Sequence, residues 1–359
     1  MRRRNFIEAA LVLSLLLFLP GSSARAFTGG QSPSLTISDG LSSPAGIAFD
    51  PSGNLWVSDN GLGEALEFVP PFASGGPPAV ELSNGLEGPA GITFSSGNLW
   101  IADYSANKVL EYASPITSGS SPALALSNGM RSPIGLAFDS SGDLWVADFG
   151  EFETTNSSDI NIPAQTTIPG SVLEFKPPFS SGESPSLNIS SGLVNPLALA
   201  FSSGDLLVAD QGMQAVLMFG PPFSNSSSPT IAISNSLTDP AGITIDTAGD
   251  VWVADYGSRS VFEFVPPLGG SPAVALTNGL SDPTAIAFDH TGNLWIADKV
   301  AGKVFEIANP NPSSPGITSY EYLLAVPAIL AVSIVAYFLA LTRSRRGRVK
   351  VASATRMGV

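Results

Sequence analysis

Cysteine is missing altogether from the 359 residues, and histidine occurs once, at His290. The first absence excludes disulfides, thiolate metal sites and cysteine nucleophiles. The second excludes a zinc site built on several histidines and leaves any Ser-His-Asp arrangement to one side chain. Charge is scarce too: 13% of residues carry one, and only 16 are Lys or Arg. Ten of those sixteen lie near the two ends. The body keeps six, Lys108, Arg131, Lys176, Arg259, Lys299 and Lys303, against 28 of the 30 acids, a net charge of −22. Such a body repels polyanions, so nucleic acid is excluded as a partner. No phosphate-binding glycine loop is found. What is plentiful is apolar residues (44%), glycine (36) and proline (30), enough for a sizeable core and too apolar for a disordered chain.

Only two long apolar runs occur. Residues 1–26 read as an export signal: Arg2-Arg3-Arg4, the apolar run Ala9 to Leu19, then Ala24-Arg25-Ala26 as an A-x-A cleavage site. As a helix that run covers about 16 Å, too little to cross a bilayer. Residues 322–341, YLLAVPAILAVSIVAYFLAL, carry no charge and span about 30 Å, which predicts a transmembrane helix. Six cations and no acid follow in 342–359, so the tail is expected to be cytoplasmic and the body extracellular, a single-pass protein of the cell membrane. Between body and helix, 309–321 is a Pro/Ser/Gly-rich stalk.

The body, 27–308, is repetitive. One phrase recurs six times, for example PAGIAFDPSGNLWVSD from Pro44 to Asp59 and PTAIAFDHTGNLWIAD from Pro283 to Asp298. Its closing aspartates, Asp59, Asp103, Asp148, Asp210, Asp255 and Asp298, are 44, 45, 62, 45 and 43 residues apart. Periods of that size with period-2 patterning and dense Pro and Gly predict propeller blades rather than helical arrays. Each repeat reads as four strands: G-I-A-F, a glycine-containing turn, L-W-V-A, then V-x-E-F stopped by Pro-Pro, then A-V-A-L. The sixth repeat lacks its fourth strand, while Ser34 to Leu41 supplies an orphan one. The expected fold is therefore all-β, a six-bladed β-propeller of four-stranded blades closed by an N-terminal strand, plus the C-terminal transmembrane helix. The five tryptophans, Trp56, Trp100, Trp145, Trp252 and Trp295, share one repeat position, as do Phe49, Phe94, Phe138, Phe201 and Phe288; both rows are expected to pack between blades.

The phrase P-x-G-I-A-F-D-x-x-G-N-L-W-V-A-D followed by V-x-E-F resembles the NHL-repeat propellers. It is also similar to the gluconolactonase-like and streptogramin-lyase-like six-bladed propellers, over about 34 to 308. The resemblance implies the fold firmly and an activity only weakly, because such propellers bind proteins, bind ligands or catalyse. The lactonase-like relatives hold a divalent metal at the channel mouth, and the lyase-like ones use a histidine base. His290 sits in a D-H-T-G turn at the end of the strands away from the aspartates, so no catalytic residue is assigned.

Two sets of candidate contacts remain. The residue after each closing aspartate is Asn60, Tyr104, Phe149, Gln211, Tyr256 or Lys299; the aromatic members Tyr104, Phe149 and Tyr256 break the repeat's symmetry on one face. Beside them the third repeat carries an insertion, Gly150 to Gly170, whose Glu151 and Phe152 join the set. The other set, Asn195, Asp239 and Asp282, precedes the opening proline in three consecutive repeats and offers hard oxygen ligands to Ca²⁺ or Mg²⁺. Asn and Asp before Pro are also ordinary turn formers, and both readings stand. The aspartates themselves are expected to accept backbone N–H groups of the loop that follows. The function expected is binding or adhesion towards an extracellular protein or glycan, with a metal-dependent lactonase-like hydrolase as the alternative.

Overall fold

The computed structural model describes residues 27–153 and 165–310, and the regular structure there is entirely β. No helix among the described residues is long and apolar enough to cross a membrane. The expected export signal, transmembrane helix and basic tail lie outside the described residues, as do most of the stalk and the centre of the insertion.

Six four-stranded antiparallel sheets form a six-bladed propeller. In blade one the strands are Pro44–Phe49, Leu55–Asp59, Glu64–Phe68 and Val80–Leu82. The first strand of each blade lines the central channel. It opens on proline, which has no N–H to leave unpaired, and is irregular just after it, as between Pro44 and Gly46. A Cβ on Gly46, Gly91 or Gly135 would run into the carbonyl oxygen of Ala90, Ile134 or Leu197 in the next blade's first strand. Glycine there lets six inner strands crowd round one axis.

The second strand is buried along its whole length, Leu55–Asp59 being typical, because a blade lies on each side of it. The tryptophan row packs as the sequence implied. Trp295 lies 5.7 Å from Phe49 and 4.9 Å from Phe72 of blade one; Trp145 lies 5.7 Å from Phe201 and 5.0 Å from Phe223 of blade four. Trp100, Trp145 and Trp295 are each held edge-on between two phenyl rings of the next blade, one from its first strand and one from the loop after Pro-Pro.

Blade six has no such loop of its own. Its strands Pro283–Phe288, Leu294–Asp298 and Lys303–Ile307 are joined by Leu35–Ile37, which pairs Leu35 with Glu306 and Ile37 with Val304. Phe27 stands in for the missing loop phenylalanine, 5.1 Å from Trp252 and 6% exposed. Asn278 Nδ2 donates to the Gly30 carbonyl (2.9 Å), as Asn235 Nδ2 does to Gly269 within the preceding blades (2.9 Å). The sequence explains the substitution: FTGGQSPSLTI at 27–37 matches FSSGESPSLNI at 179–189 position by position. The N-terminal segment is a blade's loop and fourth strand, moved to the front of the chain.

Candidate functional site: a cup on the aspartate face

Proline opens the first strand opposite the aspartate that closes the second, Pro44 against Asp59, so both mark one face of the disc. Each aspartate carboxylate is buried and pins the loop before its blade, and Asp59, Asp103, Asp210, Asp255 and Asp298 pin the loop after it as well. Asp59 accepts from the N–H groups of Ser42 (2.7 Å) and Ser43 (2.9 Å) before the first strand, and of Leu62 (3.1 Å) after the second. Asp298 does the same with Ser281 (2.6 Å), Asp282 (3.0 Å) and Ala301 (3.0 Å). The loop that follows was the expected donor; the loop before the blade is an equal partner. At Asp148, burial pushes the carboxyl above its ordinary value against the opposing pull of the Ser132 and Arg131 N–H groups.

Because the aspartate fixes both loops, the residue after it and the residue after the opening proline are held around the channel mouth. They line a cup of about 530 Å³. Beneath it the channel narrows to about 120 Å³ between aliphatic side chains such as Ile47, Ile92 and Leu199. The cup wall is divided. Blades two to four contribute Ala90, Tyr104, Ile134, Phe149 and Leu197; blades four to six contribute Gln211, Tyr256, Asp282, Thr284 and Lys299. Four of the seven exposed large hydrophobic side chains among the described residues, Leu62, Tyr104, Met213 and Val300, stand in the loops that follow these aspartates.

On the polar side, Gln211 Nε2 donates to Tyr256 Oη and to Asp239 Oδ1 (3.4 Å). Burial, reinforced by Asp239, Asp282 and Asp255, pushes the Tyr256 hydroxyl up to about 12. Burial and then the Asp298 charge push the Asp282 carboxyl above its usual range, with Lys299 opposing them.

The structure brings Tyr104, Phe149 and Tyr256 into one wall. Glu151 and Phe152 fall in a two-stranded hairpin, Glu151–Glu153 with Gln165–Ile168, that follows Phe149 directly; their side chains lie outside the described residues. Of the candidate metal ligands, Asp282 lines the cup. Asn195 is buried beside it with its Nδ2 directed at the Phe149 carbonyl (3.4 Å), and Asp239 is bonded to Gln211. Among the described residues, the groups of three close carboxylates are Asp139/Asp143/Glu174 and Asp246/Asp250/Glu263, on the opposite face, where the Asp-x-x-Gly turns lie. Asn60, Gln211 and Lys299 were passed over for their aromatic neighbours. Their shared position after the aspartate was the signal, since that position as a whole faces the cup.

A family model for the NHL repeat matches residues 237–264, which hold the first three strands of blade five. Among solved structures, the chain is similar to a putative gluconolactonase at 16% identity and a TM-score of 0.59, covering 78% of this chain and 92% of that one. A gluconolactonase from Xanthomonas campestris gives 17% and 0.57, covering 76% and 87%. Virginiamycin B lyase from Staphylococcus aureus gives 16% and 0.50, covering 77% and 85%. Among curated proteins none matches the sequence. The chain is a six-bladed β-propeller carrying an NHL repeat, with the fold of the gluconolactonase and streptogramin-lyase propellers.

Proposed function

We propose that this protein is a cell-surface propeller, anchored by its C-terminal helix, that binds an extracellular ligand, protein or glycan, in the cup on its aspartate face. One observation carries the reading. Six loops pinned by the same aspartate present six largely different neighbours, Asn60, Tyr104, Phe149, Gln211, Tyr256 and Lys299, and these line one cavity. A wall of purely structural residues would repeat with the blades. The last strand ends at Ile307 on the turn face, where Asn309 N–H donates to Asn293 Oδ1 (2.9 Å). The test is binding of the full-length chain to saccharide and protein panels. Tyr104→Ala and Phe149→Ala are expected to abolish capture without lowering the melting temperature; capture unaffected by both variants would refute the cup.

A second reading is a metal-dependent lactonase-like hydrolase using Asn195, Asp239 and Asp282 with Ca²⁺ or Mg²⁺. It is favoured by the gluconolactonases among the similar folds and by Asp282 in the cup wall. Thermal melting with EDTA, then with each metal, separates the two. A specific site at a hundred times its Kd adds about 2.7 kcal/mol. A shift of that size removed by Asp239→Ala would promote the hydrolase, and its absence leaves the binding reading.

A further inference from the structure

We infer that the cup selects a small amphipathic carboxylate, with its apolar ring against blades two and three and its carboxylate against Lys299 and Tyr256. The inference rests on the binding reading above and narrows its ligand.

Two donors on the polar side carry it. The Gln211 amide is oriented by Asp239: a carboxylate only accepts, so the nitrogen faces Oδ1. That same nitrogen donates to Tyr256 Oη, so the phenol oxygen acts as acceptor and its own hydrogen is left to give away. Among the described residues no acceptor takes it. Lys299 is the one cation in the cup wall, and it forms no ion pair within 4.0 Å among the described residues, where the ion pairs are those of Lys176. The Tyr256 hydroxyl hydrogen and the exposed Lys299 ammonium are two donors offered to the cup, and they suit anionic oxygens on the ligand.

The rest of the wall limits what carries those oxygens. Tyr104, Phe149, Ile134 and Leu197 bring no charge and ask for an apolar ring or branched chain. A volume of about 530 Å³ suits a ring with a short arm rather than a long polymer. Asp282 and Asp239 stand nearby, and a phosphate dianion would meet their field at twice the charge of a carboxylate. The carboxylate can belong to a free acid or to the acidic sugar of a glycan, whose apolar ring face also stacks on aromatic side chains.

Calorimetric titration of the full-length chain in nanodiscs tests this with four probes: 3-phenylpropanoate, 3-phenylpropanamide, glucuronate and N-acetylglucosamine. The acid is expected to bind about tenfold more tightly than its amide. Lys299→Ala and Tyr256→Phe should each erase that preference while leaving the amide unchanged, and Phe149→Ala should weaken both. Lys299 is exposed and Tyr256→Phe keeps the ring, so neither variant threatens the fold. Glucuronate binding above that of the neutral sugar points to a glycan source, and phenylpropanoate binding alone to a free acid. Equal binding of acid and amide, or of charged and neutral sugar, lost on Phe149→Ala, overturns the carboxylate inference and leaves the binding reading standing. No binding of any probe overturns the carboxylate inference, and the panel test above then decides the binding reading alone.

Discussion

The turn face and the aspartate face start from the same repeated phrase, and they treat substitution differently. On the turn face, the change in blade three is answered inside that blade. Asn54 in blade one bridges the turn's Asp50 and the third strand's Glu67 through its Nδ2, at 2.9 Å each. Asn293 does the same between Asp289 (3.0 Å) and Glu306 (2.8 Å) in blade six. In blade three the bridging position holds Asp143, and Lys176 Nζ supplies the positive charge, 3.2 Å from both Asp143 and Glu174. The chemistry is preserved although the residues differ. On the aspartate face, the carboxylate never varies, while its neighbour changes from amide to aromatic to lysine. Compensated variation marks structure. Uncompensated variation around a shared cavity marks the part of the disc where selection between ligands is built.

The contrast can be broken or sharpened by experiment, starting with the largest effect. Asp298→Ala leaves three loop N–H groups without their buried acceptor. It should cost about 3 kcal/mol in urea denaturation at constant m. Asn293→Asp places a third carboxylate between Asp289 and Glu306 and should cost about 2 kcal/mol at pH 7. Adding Ala308→Lys, the counterpart of Lys176, should recover roughly half of it; no recovery in that double-mutant cycle would mean the turn face does not compensate within a blade.

Asp289 on the turn face and Asp282 on the aspartate face should also differ in the sign of their pH dependence. Burial pushes the Asp289 carboxyl up, but the donors Trp295, Thr291 and Asn293 outweigh it and hold it below its ordinary value. Its contribution is therefore present above the unfolded value near 3.9 and lost as pH falls through the lower folded one. Asp282 is raised, so its folded form holds a proton longer and its contribution falls as pH rises from about 4 through the folded value. Asp289→Asn should flatten the acid limb of a stability-against-pH curve, whereas Asp282→Asn should flatten the decline above it and raise stability at pH 7. Smallest is Tyr104→Ala on the rim, 39% exposed, which should change stability by under about 0.5 kcal/mol while removing ligand capture.

Much of the fold was legible because repetition multiplies weak signals. A single G-I-A-F strand followed by a glycine turn says little, but six copies, five of them with tryptophan at the same place, define a blade. The packing partner of that tryptophan was legible too, through Phe49 and its equivalents. Less visible was Phe27. Its partner Trp252 lies far away in sequence, and the cue was the match of 27–37 to 179–189 rather than any local pattern. At the cup, the aromatic residues were read from asymmetry. Gln211 and Lys299 were not, because their roles depend on which way a loop faces and on Asp239 orienting an amide. The candidate metal residues show the same limit: Asn195, Asp239 and Asp282 share a sequence position, yet only Asp282 reaches the cavity wall.

The borrowed strand of blade six has a consequence in time. Ser34 bonds to Glu306 across 272 residues of chain, so the first part of the body to be made must wait for nearly the last. During synthesis Phe27–Ile37 meets Trp252 and Asn278 only late, and its strand partner only when Lys303–Ile307 appears; until then the ring stays an open arc whose two ends are strand edges. Closing it carries the entropy of a very long loop, which grows only slowly with length. The seam is then the last joint to form. A protease or a chaperone acting before residue 307 is made meets an arc, and one acting afterwards meets a disc.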